Sequence, residues 1–173
     1  MAGFDFQTSQ QSLNSDDPRL ELLSRIIKHL SNDFPVYVAP NGTGMFVVVP
    51  FRETLYPVEL SVAGPMLVCV ASHPQQLSDV DYLTVAQKIN DANVGTVCVF
   101  FVHQGSLMSR MLTPLNDPEH VRASIVFGVM ALHCLYKALF SDQSFMDILN
   151  DMIRQLKGAQ NGGHSSDNVD SDS

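Results

Sequence analysis

The chain carries six histidines, three cysteines and several closely spaced carboxylates, the residue types that perform acid–base, nucleophilic and metal chemistry. Spacing decides whether they can act together. His133 and Cys134 are consecutive, and on a helix such neighbours diverge by about 100°, so they do not easily share one metal. Cys69, Cys98 and Cys134 lie far apart inside apolar runs, with no CxxC and no His/Cys spacing that suits zinc. They read as buried free thiols, which fits a reducing cytosol. His103 sits at a hairpin mouth and His73 precedes Pro74, both loop positions. His29 faces away from an apolar stripe, His120 falls in the first turn of a helix, His133 reads as a core-margin histidine, and His164 lies in the C-terminal tail.

The carboxylates are as dispersed. Asp79 with Asp81, and Asp117 with Glu119, open helices, where negative charge complements the dipole. Glu59 stands on the polar face of a strand, with Arg52 and Arg110 as potential ion-pair partners. No GxxxxGK[ST], no GxGxxG after a strand, no GxSxG and no HExxH occurs. Asn41-Gly42-Thr43-Gly44 joins two strands, whereas a phosphate cradle needs a helix N-terminus directly after its glycines. These residues name no catalytic group, no metal site and no cofactor, and the chain reads as a non-enzyme.

The elements behind them follow from periodicity. Asp17-Pro18 starts a first helix with Leu20, Leu23, Ile26, Ile27 and Leu30 on one side. Four strands are expected at 35–39, 45–51, 56–63 and 66–72, with turns at Asn41–Gly44 and Gly64-Pro65. A second helix is expected from Ser78 to Ala92, with Ser78 and Asp81 as a capping box. Strands at 96–103 and 106–112 flank Gln104-Gly105. A third helix opens at Asp117-Pro118 and runs to about Phe140, and a fourth covers 145–156. The order α-ββββ-α-ββ-α-α, with strands grouped and joined by short turns, predicts an α+β fold with a mostly antiparallel sheet. Residues 17–157 form one domain. Residues 1–16 read as a disordered arm and 158–173 as a disordered acidic tail.

Charge follows the same division. The net charge is -8, from 10 Lys+Arg and 18 Asp+Glu. Residues 1–17 hold Asp5, Asp16 and Asp17 without a base, and residues 158–173 hold Asp167, Asp170 and Asp172 without a base. The central part is therefore nearly neutral and strongly apolar. Its basic residues are scattered, which argues against nucleic acid as a partner. The strongest membrane candidate, 123–136, has only 14 uncharged residues between Arg122 and Lys137, fewer than the roughly 20 of a membrane span. No signal peptide is seen in MAGFDFQTSQQ, so a cytoplasmic location is expected.

Several strands are apolar on both sides. In Thr96–His103, Val97, Val99 and Phe101 share one face, and Cys98, Phe100 and Val102 the other. Met45–Phe51 and Met66–Ser72 are similar. A sheet with one wet face should alternate apolar and polar residues, so something must cover both faces. Either helices lie on both sides or a subunit partner covers one, and a homodimer is the expectation.

The segment INDANVGTVCVFFVHQGSLMSRMLTPL, residues 89–115, resembles the YbjN family, also called bacterial sensory transduction regulators. The resembling features are a helix ending in Ile-Asn, a glycine, an apolar strand, a glycine turn, and a strand carrying Arg110 that leads into a long helix. The resemblance covers residues 18–156. It implies a fold similar to the small acidic chaperones of type III secretion, α+β dimers that bind an extended stretch of a partner without catalysis. It transfers no catalytic residue.

The expected function is therefore a non-enzymatic cytosolic interaction protein that binds a protein segment along apolar grooves or by strand addition at a sheet edge. The candidate contacts are Leu23, Ile26, Ile27 and Leu30 on the first helix. Others are Met108 and Arg110 on the last strand, and Met146, Leu149 and Met152 on the fourth helix, methionine lending adaptable contact. The alternative is a small-molecule sensor or enzyme with a pocket between sheet and long helix, lined by Arg110, Glu59 and His103.

Overall fold

Alternation along the strands decides how the layers stack. The structure, a computed structural model, describes residues 18–38, 45–78 and 80–161. The arm at 1–16, the turn at Asn41–Gly44, Asp79 and residues 162–173 of the tail lie outside the described residues. The elements run α1 (Pro18–Leu30), β1 (Val36–Val38), β2 (Met45–Phe51), β3 (Thr54–Ala63), β4 (Met66–Gln76), α2 (Tyr82–Gly95), β5 (Val99–His103), β6 (Ser106–Pro114), α3 (Pro118–Leu139) and α4 (Phe145–Asn161). This is the α+β order read from the sequence. The six strands form one sheet in the order β1-β2-β3-β4-β6-β5, with every neighbouring pair antiparallel.

Tight turns set the register. Gly64-Pro65 joins β3 to β4 with Gly64 at φ 61°, and Gln104-Gly105 joins β5 to β6 with both residues at positive φ. Arg52-Glu53 joins β2 to β3, and Arg52 takes the left-handed conformation at φ 54° without being glycine. The crossover through α2 carries the chain past β6, so that β5 becomes an outer strand.

Several boundaries differ from the sequence reading, and β3 begins at Thr54 rather than Tyr56 while β6 ends at Pro114 rather than Leu112. β5 begins at Val99 rather than Thr96, because the Thr96 hydroxyl bonds the Cys98 amide and carbonyl in a local turn and Val97 stands in solvent. β4 continues to Gln76, with its pairing to β6 interrupted between Ser72 and Gln76. Pro74, which has no N–H to donate, sits in that interruption. α2 begins at Tyr82, and Asp81 rather than Ser78 is its N-cap, accepting from the amides of Leu83 and Thr84. α4 runs through Asn161 and so takes in Gly158, the expected start of the tail.

All four helices belong to one layer. The core of that layer is α3, which is buried along most of its length. It lies on the sheet face formed by Val47 and Val49 of β2, Tyr56, Val58 and Leu60 of β3, Leu67, Cys69 and Ala71 of β4, and Leu107 and Met111 of β6. Close contacts fix the side. The Ser109 hydroxyl donates to the Gly128 carbonyl of α3, and a methyl at Gly128 would stand 3.1 Å from Met111 Cε. α1, α2 and α4 flank α3. By length and composition α3 could cross a membrane, but here its apolar surface is spent against the sheet and the other helices.

Candidate functional site

The opposite face of the sheet carries no helix among the described residues. The positions that alternate with the core ones form it, and the registers align them in rows. One row runs Tyr37, Phe46, Glu59, Val70, Arg110, Val99 across all six strands. Neighbouring rows hold Ser61, Val68 and Leu112, then Ser72, Met108 and Phe101. Leu112 is 57% exposed, Val99 45% and Phe46 43%. These are the strands that read as apolar on both sides. The structure resolves the two explanations in part, since the helices take one side only. A largely apolar face across six strands, broken by Glu59, Arg110, Ser61 and Ser72, exceeds what single surface hydrophobics explain and is the usual mark of an interaction surface.

Sequence-named residues fall on three different surfaces. Met108 and Arg110 lie on the open face, Met108 half-buried and Arg110 exposed. The α1 residues point inward: Ile26 and Leu30 are 0% exposed, and Leu23 and Ile27 are half-buried against the core. Their helical stripe is spent on packing, so Ile26 and Leu30 present nothing to a partner in this arrangement. On α4, Leu149 and Met152 are buried and Met146 is exposed. Met108 and Met111, three apart on one strand, stand on opposite faces.

Arg110, Glu59 and His103 do not line a pocket between sheet and long helix. Glu59 and Arg110 are on the far face and His103 is exposed at the β5–β6 turn. A cleft of about 1030 Å³ lies elsewhere, between the β2–β3 turn, α3 and α4. Arg52, Glu53, His133, Lys137, Asp151 and Met152 are among its walls. Arg52 spans one side, donating to Gln155 Oε1 at 2.9 Å and lying 3.2 Å from Met152 Sδ.

Two histidines sit in the core beside this cleft. His133 is 8% exposed, and its Nδ1 lies 2.6 Å from the Tyr56 hydroxyl. No protein group among the described residues bonds its Nε2. Burial, with help from the Lys137 charge, pushes its pKa down to about 4. His73, expected in a loop, is buried on β4 and stacks on Tyr136 with ring centroids 3.5 Å apart. Its pKa is also lowered by burial. Both are neutral near pH 7. The Cys69, Cys98 and Cys134 thiols are buried, and burial raises their pKa values to about 12, 11 and 11. Among the described residues no three His, Cys, Asp or Glu side chains could hold a metal ion together.

The sheet edges are also set. Asn93, in the last turn of α2, accepts from the Phe100 amide at 2.7 Å and donates to the Phe100 carbonyl at 3.1 Å. A side-chain amide thus takes the place of a further strand at the middle of β5. No protein-family model, no curated protein and no solved structure matches the chain.

Proposed function

We propose that the chain is a non-enzymatic protein-interaction domain of the cytosol, and that the helix-free face of its sheet is the surface it binds with. One observation carries this reading: the face is largely apolar, spans six strands and is left uncovered by the four helices of the described residues. Covering it removes apolar area from water at roughly 25 cal/mol per Å². Chemistry finds less support, because the buried histidines are neutral, the thiols are protonated and the carboxylates are dispersed on the surface. A chaperone-like or regulatory role, the one implied by the resemblance to the YbjN family, needs a free surface for a protein partner. Strand addition at β5 is the weaker mode, since Asn93 occupies the outward hydrogen bonds of Phe100.

A photo-crosslinking amino acid placed at Leu112, on the open face, tests the reading against one at Arg154, on the exposed side of α4. Crosslinks to protein at position 112 and not at 154 are expected. Equal labelling at both positions, or none at 112, would overturn it.

The cleft beside His133 favours a second reading, a small-molecule sensor, because it pairs charged walls with a buried imidazole edge that no protein group among the described residues bonds. A ligand at 100 times its dissociation constant stabilises by about 2.7 kcal/mol. A thermal-shift hit among small metabolites, lost on Arg52→Ala, supports this reading. No hit across the screen counts against it.

A further inference from the structure

The open face carries its own complement, and the argument rests on that face being an interaction surface. Its middle row places Glu59 on β3 and Arg110 on β6, with Val70 of β4 between them. At about 4.8 Å per strand, the two charges stand equally far from Val70 on opposite sides. They are the one acid and the one guanidinium at register positions of this face among the described residues. No ion pair joins them within the chain, and both are exposed.

We propose that the occupant of this face is a second copy of the chain, packed sheet on sheet about a two-fold axis that runs along β4 over Val70. That rotation exchanges the two sides of β4. Glu59 of each copy is set over Arg110 of the other, twice, and Phe46 over Val99 by the same operation. Facing sheets lie about 10 Å apart with strands within about 30° of each other, a gap that a glutamate and an arginine span together. The other aligned two-fold, along the row itself, sets Glu59 on Glu59 and Arg110 on Arg110. Like charges in a drying interface disfavour it.

Five strands, β2 to β5, overlap about this axis, and over the length that β3 shares with β4 they give a face on the order of 500 Å² in projection; the accessible area of its side chains is larger, toward the roughly 800 Å² that each partner buries in a standard interface. The face is electrically neutral, so two copies meet without net repulsion. Six of the eight net negative charges lie in residues 1–17 and 158–173, away from this patch in sequence.

The full chain at tens of micromolar, measured by light scattering, tests the proposal. The wild type is expected at twice 19.1 kDa. Glu59→Arg and Arg110→Glu should each weaken the dimer at least tenfold, and the double reversal should restore it. Circular dichroism confirms that each variant folds, which exposed positions allow. Leu112→Asp separates the two levels of argument. If it is monomeric while both single reversals stay dimeric, the open face is the interface but the axis is wrong. If it remains dimeric, the interface is elsewhere and the reading of the face fails as well. A wild type of one-chain mass overturns the second copy as occupant. If such a monomer dimerises on deletion of residues 1–16, the arm is the occupant instead.

Discussion

The Tyr56 hydroxyl lies 2.6 Å from His133 Nδ1 and ties β3, close to the β2–β3 turn, to the C-terminal third of the long helix. The surroundings are apolar, with Phe51 packed edge-on against the imidazole. Burial holds the phenol protonated up to about pH 12, so we assign Tyr56 as the donor and a bare Nδ1 as the acceptor. The short bond in a low-dielectric site specifies one register of α3 on the sheet. Tyr56→Phe keeps the ring and leaves Nδ1 buried without a partner. It should cost about 1–3 kcal/mol, read as a lower urea midpoint with an unchanged slope. A loss under about 0.5 kcal/mol would mean the bond contributes little.

The same pair makes stability depend on pH. His133 titrates at about 4 in the folded chain against 6.5 in the unfolded one. Between those values the unfolded state binds the proton and the folded state does not, so acid favours unfolding. The contribution is fully present above about pH 6.5 and is lost as pH falls toward 4. It amounts to about 3 kcal/mol at most, and the lowered pKa of His73 acts in the same direction. Urea unfolding at pH 7.5 and 4.5 should show the drop. His133→Gln, which keeps an acceptor for Tyr56, should flatten it. An equal drop in wild type and variant would assign the effect to other groups.

The sequence made the layers legible where polar and apolar residues alternate cleanly. Val58 and Leu60 against Glu59 and Ser61 give the two faces of β3 directly. Where both faces are apolar, as in β2, β4 and β5, alternation is silent about which side meets the helices. That follows only from register, because Leu60, Cys69 and Met111 must share a row. The place of β6 between β4 and β5 depends on the crossover through α2, and no local pattern encodes it. His73 reads as a loop residue because Pro74 marks a strand end, while the strand continues past the proline through a gap in its ladder. The helical stripe of α1 was legible, but a stripe does not say whether it packs inward or waits for a partner. In the sequence Glu59 has both Arg52 and Arg110 as potential ion-pair partners. The equal spacing of Glu59 and Arg110 about Val70 is a property of the assembled sheet.

The thiols give a third expectation. Cys69, Cys98 and Cys134 are buried, and burial raises each pKa, so the nucleophilic thiolate is scarce near pH 8. In native protein none should react with an aromatic disulfide reagent within minutes at pH 8. All three should react in denaturant. A thiol that reacts quickly in the native state would place it at a surface, with Cys98, next to exposed Val97, the first to check.

Asn93 offers the sharpest test of how the sheet ends. β5 is an outer strand, and an unpaired outer strand invites pairing with another chain. Phe100 turns its amide and carbonyl away from β6, and the Asn93 side chain satisfies both. Asn93→Leu keeps the approximate shape and removes both bonds. It leaves two backbone groups seeking water at a half-buried site, at a cost of about 1–3 kcal/mol. The Phe100 amide should then exchange with deuterium markedly faster, while amides of Val99 and Phe101, which face β6, slow or hold steady relative to it. Higher oligomers that disperse on dilution should also appear, since a strand edge has been uncovered. Asp91→Ala, on the exposed side of the same helix, is the control and should change neither reading. If Asn93→Leu leaves Phe100 protection and oligomeric mass as they were, the side-chain amide is not what closes this edge.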